Sequence, residues 1–344
     1  MTITPTPEQQ AVIDYELRPL RVTAGAGTGK TTTMALRLAA LIRREGIAPE
    51  EALGITFTNK AAEELGDRLR LCLPELAAEG REVEVTTYHG FAFNLLAEFG
   101  PLVGVERQVG VIAPGYARQL LREAVGAAPR RTLDLTAPGA RVGELVGLAG
   151  RLGDHLLEPA DLAEDDPADE VAARRAEMAQ VLTDYARRKQ GLGLVDYADM
   201  ITRGHRLLVA HPEVADRLRA RYRLVLLDEY QDTNPAQREL LRLIFHSGFP
   251  VTAVGDADQT IYEWRGASLE NFAAFPTHFP EPDGSEAATL SLSYNRRSAR
   301  RIVDLANLVR GCIGRPGGLD RLRALDEAPA GDIESAWFPN AVEE

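Results

Sequence analysis

Two cysteines, Cys72 and Cys312, are all that the 344 residues contain, too few for a disulfide framework or a cysteine-rich zinc or iron–sulfur site. The six histidines show no ligand-like pairing with them, so no structural metal is expected. Long apolar runs are also missing. Nothing uninterrupted is long enough to cross a bilayer, and the opening MTITPTPEQQ has no basic stretch followed by an apolar one. A cytoplasmic chain without a membrane segment is expected. Positive charge is scarce too: 39 Lys and Arg stand against 51 Asp and Glu, a net charge of -12. Coating nucleic acid through bulk charge would need the opposite balance, so any DNA contact has to be local. What the chain does have is 45% hydrophobic and 26% charged residues, the make-up of a globular protein with room for two compact domains.

Three short apolar runs, at 20–23, 53–57 and 83–87, are each followed by a helical pattern, which is βαβα order. Further strands are predicted at 224–227, at 251–254 and around 290–292, the last preceding a helix over about 298–309. An α/β fold with a parallel, doubly wound sheet follows. Between 104 and 193 the composition turns to Ala, Leu, Arg and Glu, with breakers at Pro114, Pro129, Pro138 and Pro159 and an acidic stretch over 164–170. This reads as an inserted all-α subdomain whose acidic stretch is a solvated loop. The predicted division is a discontinuous lobe, 1–103 with 194–310, an insertion over 104–193, and a linker and tail over 311–344.

The first segment that carries chemistry is AGAGTGKTT, comprising Ala24, Gly25, Ala26, Gly27, Thr28, Gly29, Lys30, Thr31 and Thr32. It lies between a short strand and a helix bearing Met34, Leu38 and Leu41, and fits a phosphate-binding loop. Small residues let successive N–H groups point inward at phosphate oxygens, and the helix N-terminus adds a favourable dipole. Lys30 would neutralise the β- and γ-phosphates and Thr31 would hold Mg²⁺. The strict pattern asks for glycine where Ala24 stands, which is tolerable if φ is negative there. A carboxylate pair at the end of a neighbouring strand should accompany such a loop, and RLVLLDEYQDTN supplies Asp228 and Glu229. Asp228 would hold the Mg²⁺ shell and Glu229 would orient or deprotonate the attacking water. A DE pair after a core strand says little by itself; together with the loop it points to hydrolysis.

DEYQDTN together with VGDADQTIYEWRGA, residues 254–267, closely resembles the second and third helicase motifs of the UvrD/Rep family of superfamily 1. TFTNKAAEEL resembles its motif Ia, TTYHGFAFNLL its motif Ib, and PTPEQQAVI its adenine-recognising glutamine motif, with Gln9 first and Gln10 second as the residue for the base. LVDYADMI matches the family's return from the helical insertion. The resemblance implies a RecA-like motor lobe that binds ATP with Mg²⁺ and single-stranded DNA or a single-strand/duplex junction, moving 3′ to 5′ in DNA repair or replication restart. Gln259, just past a strand, could reach the γ-phosphate, while Tyr262 and Trp264 follow on the same segment. Aromatic faces stack any base, which suits a motor that passes all sequences. Phe57 is a third aromatic candidate, although core would be its default. Thr58, Asn59, Lys60 and His89 are candidates for backbone phosphate contacts, and Arg265 joins them beside Trp264.

Where the family shows NYRS, this chain reads Asn295, Arg296, Arg297 and Ser298. By resemblance Arg297 would contact the γ-phosphate, while Arg296 replaces the tyrosine that stacks on adenine. Thr32 likewise sits where many relatives have arginine. The later motifs have no counterpart before Glu344, and the tail IESAWFPNAVEE resembles the first strand of a second motor lobe. Half a motor is therefore expected, its other lobe supplied by a longer chain or a partner subunit, with slow hydrolysis and no unwinding alone. Two other readings are a helicase-like subunit of a RecB or AddA type nuclease–helicase, and a nucleotide-gated module that grips single strands without sustained turnover.

Overall fold

The computed structural model describes residues 4–107, 109–128, 138–163, 169–263, 266–313, 319 and 321–334. Its strands are β1 (Leu20–Ala24), β2 (Ala52–Thr56), β3 (Glu84–Thr87), β4 (Gly110–Val111), β5 (Leu194–Val195), β6 (Leu224–Leu227), β7 (Val251–Gly255), β8 (Ala288–Leu292), β9 (Tyr294–Asn295) and β10 (Arg323–Ala324). Its helices are α1 (Pro7–Asp14), α2 (Lys30–Glu45), α3 (Asn59–Cys72), α4 (Pro74–Ala78), α5 (Tyr88–Phe99), α6 (Pro114–Ala127), α7 (Pro138–Asp154), α8 (Glu170–Gly191), α9 (Tyr197–Ala210), α10 (Pro212–Arg221), α11 (Pro235–Ile244), α12 (Leu269–Ala273), α13 (Phe275–His278) and α14 (Arg300–Ile313).

Six strands make one sheet in the order β3-β2-β6-β7-β1-β8, every neighbouring pair parallel. The apolar runs of β2, β6 and β7 are buried along their whole length, as strands covered by helices on both faces must be. Period-two geometry sorts one such run between two cores. Val225 and Leu227 pack with α5, α9 and α11 on one face, while Leu224 and Leu226 pack with α2 and α3 on the other. The two edge strands are the less buried ones, β3 as EVTT and β8 as ATLSL. The sequence expectation of a RecA-like α/β lobe holds.

A third core, with Leu121, Val142, Val181, Leu182 and Tyr185 at its centre, is built by α6, α7 and α8. The insertion differs from expectation in one respect: it is not purely helical. The chain leaves and returns through a parallel ladder, Gly110↔Leu194 and Val111↔Val195. Two residues per strand are too few to show a period in sequence; the ladder forms because both connections pass the same point, with Gly193 at φ 65 turning out of α8. Of the acidic stretch, 164–168 lie outside the described residues, as do 335–344 of the tail.

Candidate nucleotide site and nucleic-acid face

β1 delivers its last residue, Ala24, fully buried into the core on the α2 side. The departure from the glycine pattern is thereby absorbed: the methyl points into packing and φ there is not positive. Gly27 and Gly29 supply the left-handed turns, at φ 71 and 80. Gly29 is the N-cap of α2 and offers no side chain to the first-turn amides, which leaves those donors and the helix dipole open to an anion. A Cβ on Gly27 would meet Asn295 Nδ2 at 2.7 Å and Arg297 Cβ at 3.0 Å, and one on Gly29 would meet Gln9 Nε2 at 3.0 Å. The fold thus brings two distant segments against the loop.

Gln9 is there with its amide already engaged: Oε1 accepts from the Thr6 N–H at 2.9 Å and Nε2 donates to the Thr28 carbonyl at 2.9 Å. It positions the loop as well as standing beside it. Gln10 is exposed and donates to Asp14. Arg296 gives its backbone N–H to the Gly27 carbonyl and its guanidinium to the Thr4 carbonyl. Asn295 Nδ2 donates to the Ala26 carbonyl at 2.7 Å, and its Oδ1 accepts from the Arg297 and Ser298 amides, which sets up the turn that holds the exposed Arg297 over the loop. Thr32, the other departure, accepts a hydrogen bond from the Arg68 guanidinium at 2.7 Å. No local pattern links residues on two different helices, so Arg68 was not legible beforehand.

Opposite the loop, Asp228 closes β6 and gives its own N–H to the Ile55 carbonyl at 2.8 Å. Glu229 has φ 49, a left-handed conformation in a non-glycine residue, which costs on the order of 1–3 kcal/mol and is tolerated where the surroundings enforce it. Its Oε2 lies 3.3 Å from Lys30 Nζ and accepts from Gln231 Nε2 at 2.9 Å. Gln231, buried, also accepts from the Asp256 N–H at 3.1 Å, and Asp256 in turn accepts from Gln259 Nε2. Gln231 stood inside the recognised DEYQDTN string, but its bridging role needed β6 and β7 side by side. Burial raises the Asp228 carboxyl, with Glu229 adding repulsion and Lys30 opposing both. The same balance lifts Asp232 to about 7, and burial, opposed by Lys30, raises Asp256. One lysine among so many carboxylates leaves a demand for further positive charge.

Among the described residues no three His, Cys, Asp or Glu side chains converge as a self-sufficient metal site. Mg²⁺ takes one or two protein ligands and fills its shell with water and phosphate oxygens; of the two residues the sequence offers for it, Thr31 lies in the first turn of α2 and Asp228 just past β6. A cavity of about 640 Å³ between α3, α4 and β3 is lined by Arg70, Arg81 and Glu82, whose charges are already paired, and it does not include the loop.

The nucleic-acid candidates begin where these strands end. Phe57 is half-buried, its ring stacked on Tyr262 with centroids 5.0 Å apart and planes 28° apart. Thr58 caps α3 by accepting from the Ala61 N–H, and Asn59 and Lys60 are exposed in its first turn. His89 packs edge-on against Tyr197, centroids 5.1 Å apart, and Tyr197 is 63% exposed. This aromatic, adjacent to Asp196 in LVDYADMI, was not singled out in sequence. Trp264 and Arg265 lie outside the described residues. Among the described residues no helix is long and apolar enough to cross a membrane.

A family model described as the UvrD/REP helicase N-terminal domain matches residues 5–280. The chain is 34% identical over 339 residues to the ATP-dependent DNA helicase UvrD1 of Mycobacterium tuberculosis, covering 95% of this chain and 41% of the relative. It is 33% identical over 291 residues to the ATP-dependent DNA helicase PcrA of Leuconostoc citreum, covering 85% and 37%, and 30% identical over 302 residues to PcrA of Staphylococcus aureus, covering 88% and 39%. The chain therefore spans about two fifths of the length of the curated relatives it matches.

Proposed function

Because this chain belongs to the UvrD/REP helicase N-terminal domain family, we propose that it is the ATP-binding lobe of a DNA translocase, hydrolysing ATP with Mg²⁺ and gripping single-stranded DNA. The observation that carries this reading is a continuous polar chain. It runs from Lys30 to Glu229, through Gln231 to Asp256 and Gln259, and reaches the segment whose Tyr262 stacks on Phe57. Nucleotide chemistry at one end can thereby move an aromatic platform at the other.

The first-turn amides of α2 and Lys30 bind the phosphates. Thr31 and Asp228 would hold Mg²⁺, which would supply charge neutralisation on the nucleotide phosphates. Glu229 orients water and accepts its proton, while Gln259 and Arg297 contact the γ-phosphate from the sides that β7 and β9 provide. Gln9, Gln10 and Arg296 stand on the adenine side. Phe57 and Tyr262 with Trp264 stack bases; Thr58, Asn59, Lys60, His89 and Arg265 meet phosphates, and exposed Tyr197 joins them. The lobe consists of 1–103 and 194–310, with 104–193 as the insertion and 311–344 leading to a second lobe in a longer chain or a partner. Movement 3′ to 5′, a place in DNA repair or replication and a cytoplasmic location complete the proposal.

The test is ATP turnover by this chain with and without single-stranded DNA. Stimulation by DNA is expected, at a low absolute rate. DNA binding that responds to nucleotide without any stimulated turnover would make the chain a gated binding module instead. Failure to bind DNA at all would refute the reading.

A further inference from the structure

The insertion touches the motor at a joint that none of these roles uses. Asp154 is the last residue of α7, which packs against both α9 and α11. Its Oδ1 accepts from Asn234 Nδ2 at 2.7 Å. Asn234 ends the DEYQDTN string and caps α11, its own Oδ1 accepting from the Gln237 N–H at 2.8 Å. On the other side, Asp154 lies against Gly266: a Cβ there would stand 2.7 Å from Asp154 Oδ2, 2.9 Å from Cγ and 3.1 Å from Cβ, and Gly266 has φ +80. Glycine is thus required twice over, by the turn and by the carboxylate.

Gly266 closes the turn that carries Tyr262. The Gly266 amide donates to the Glu263 carbonyl at 3.0 Å and the Ala267 amide to the Tyr262 carbonyl at 3.3 Å. Just beyond, the Ser268 amide and Asn271 Nδ2 both donate to the Thr233 carbonyl, at 3.0 and 3.1 Å. The tail of the second motif, the turn of the third and the end of α7 therefore meet at one carboxylate. Burial there pushes the Asp154 carboxyl up to about 6. A charge held at such a cost in a packing position is an expensive way to fill space, and an inexpensive way to fix two backbones relative to each other.

We infer that Asp154 is a positioning residue: through it the helical insertion clasps the Tyr262-bearing turn against the tail of the nucleotide carboxylate motif, so that the grip on DNA answers to nucleotide. This rests on the proposed function, since it concerns how that function's two sites are coupled. The coupling is a ratio of DNA affinities with and without nucleotide, and removing the clasp collapses the ratio while each site keeps its own chemistry.

The experiment is fluorescence anisotropy of a labelled oligothymidylate with the full chain, with and without a non-hydrolysable ATP analogue and Mg²⁺. For the wild type the two dissociation constants are expected to differ by about five-fold or more, the lower range of measured couplings. In Asp154→Ala the ratio falls to about one. Asp154→Asn, which keeps an oxygen to accept from Asn234, retains the wild-type ratio. Gly266→Ala, which fills the same contact from the opposite side, loses it. A wild-type ratio in Asp154→Ala, or loss of coupling in Asp154→Asn, overturns the clasp while leaving the proposed function standing. A wild type that binds both ligands with a ratio of one overturns the clasp as well. A wild type that does not bind DNA at all brings down the function itself.

Discussion

Two lysines stand among carboxylates in this chain, Lys30 at the phosphate loop and Lys189 where α8 of the insertion meets α9, and the fold treats them in opposite ways. Lys189 has a side chain 4% exposed; it donates to Asp196 and, at 2.6 Å, to Asp199, and its ammonium lies 4.6 Å from the centre of the Tyr185 ring. The two acids also cap each other's backbone N–H groups, so both Asp196 oxygens and Asp199 Oδ2 are occupied. Lys30 is 11% exposed and has one acid within ion-pair distance among the described residues, Glu229, while Asp228, Asp232 and Asp256 feel its charge without bonding to it. The first cluster is closed and needs nothing more. The second has more carboxylates than its one lysine can pair with and holds Glu229 in a strained backbone, the arrangement to which the proposed function assigns nucleotide and Mg²⁺.

The difference is open to test from both sides. Glu229→Gln keeps the size of the side chain and should keep nucleotide binding, yet lower turnover by about 10²–10⁴-fold, the usual contribution of a positioned general base. Steady-state hydrolysis alongside binding of a fluorescent nucleotide would show it; unchanged turnover removes Glu229 from the role. Lys189→Met keeps the apolar stem but strands two partly buried acids. It should lower stability by about 2–4 kcal/mol, since breaking a buried pair from one side leaves charge uncompensated and the acids here retain some solvent. Urea unfolding followed by circular dichroism measures this, and nucleotide affinity should not move. An equally stable variant would mean that the closed cluster holds nothing.

Much of the open cluster was legible in the sequence because its parts are local. The loop AGAGTGKTT, the LVLLDE strand end and the VGDADQ turn each pair a chemical group with the end of a strand, and the parallel sheet gathers such ends on one side. What was not legible depends on distance along the chain. Gln231 bridges to Asp256 only because β6 and β7 are neighbours. Arg68 meets Thr32 only because α3 lies against α2. Gln9 was read for the base, yet its amide also braces the loop, since Thr28 presents a carbonyl that no periodicity could announce. The ladder of β4 and β5 escaped because two residues carry no period. Composition announced a helical insertion but could say nothing about where α7 ends.

That end, Asp154, is a third kind of buried charge: neither closed like Lys189 nor awaiting a ligand like Lys30, and its environment makes a pH prediction with a definite sign. Its carboxyl is raised from 3.8 to about 6, chiefly by burial, with His155, the Asn234 hydrogen bond and Arg151 opposing. A carboxyl raised on folding is ionised less readily in the native state than in the unfolded one. The fold therefore bears its penalty in full above about pH 6, sheds it between about 6 and 4, and bears none below. That rise corresponds to roughly 3 kcal/mol, reduced to about 1–2 because the group keeps some contact with water. Asp154→Asn removes the ionisation while keeping an acceptor for Asn234, so it should be more stable than the wild type by that amount at pH 7.5 and by only about a third of it at pH 4.5. Taking the difference between the two proteins at each pH cancels the titration of Asp228, Asp232 and Asp256, which both share. Urea midpoints at the two pH values decide the matter: an advantage of the same size at both would mean that Asp154 sits in water rather than in the joint between insertion and motor, and a variant less stable at pH 7.5 would mean that the charge itself holds the joint.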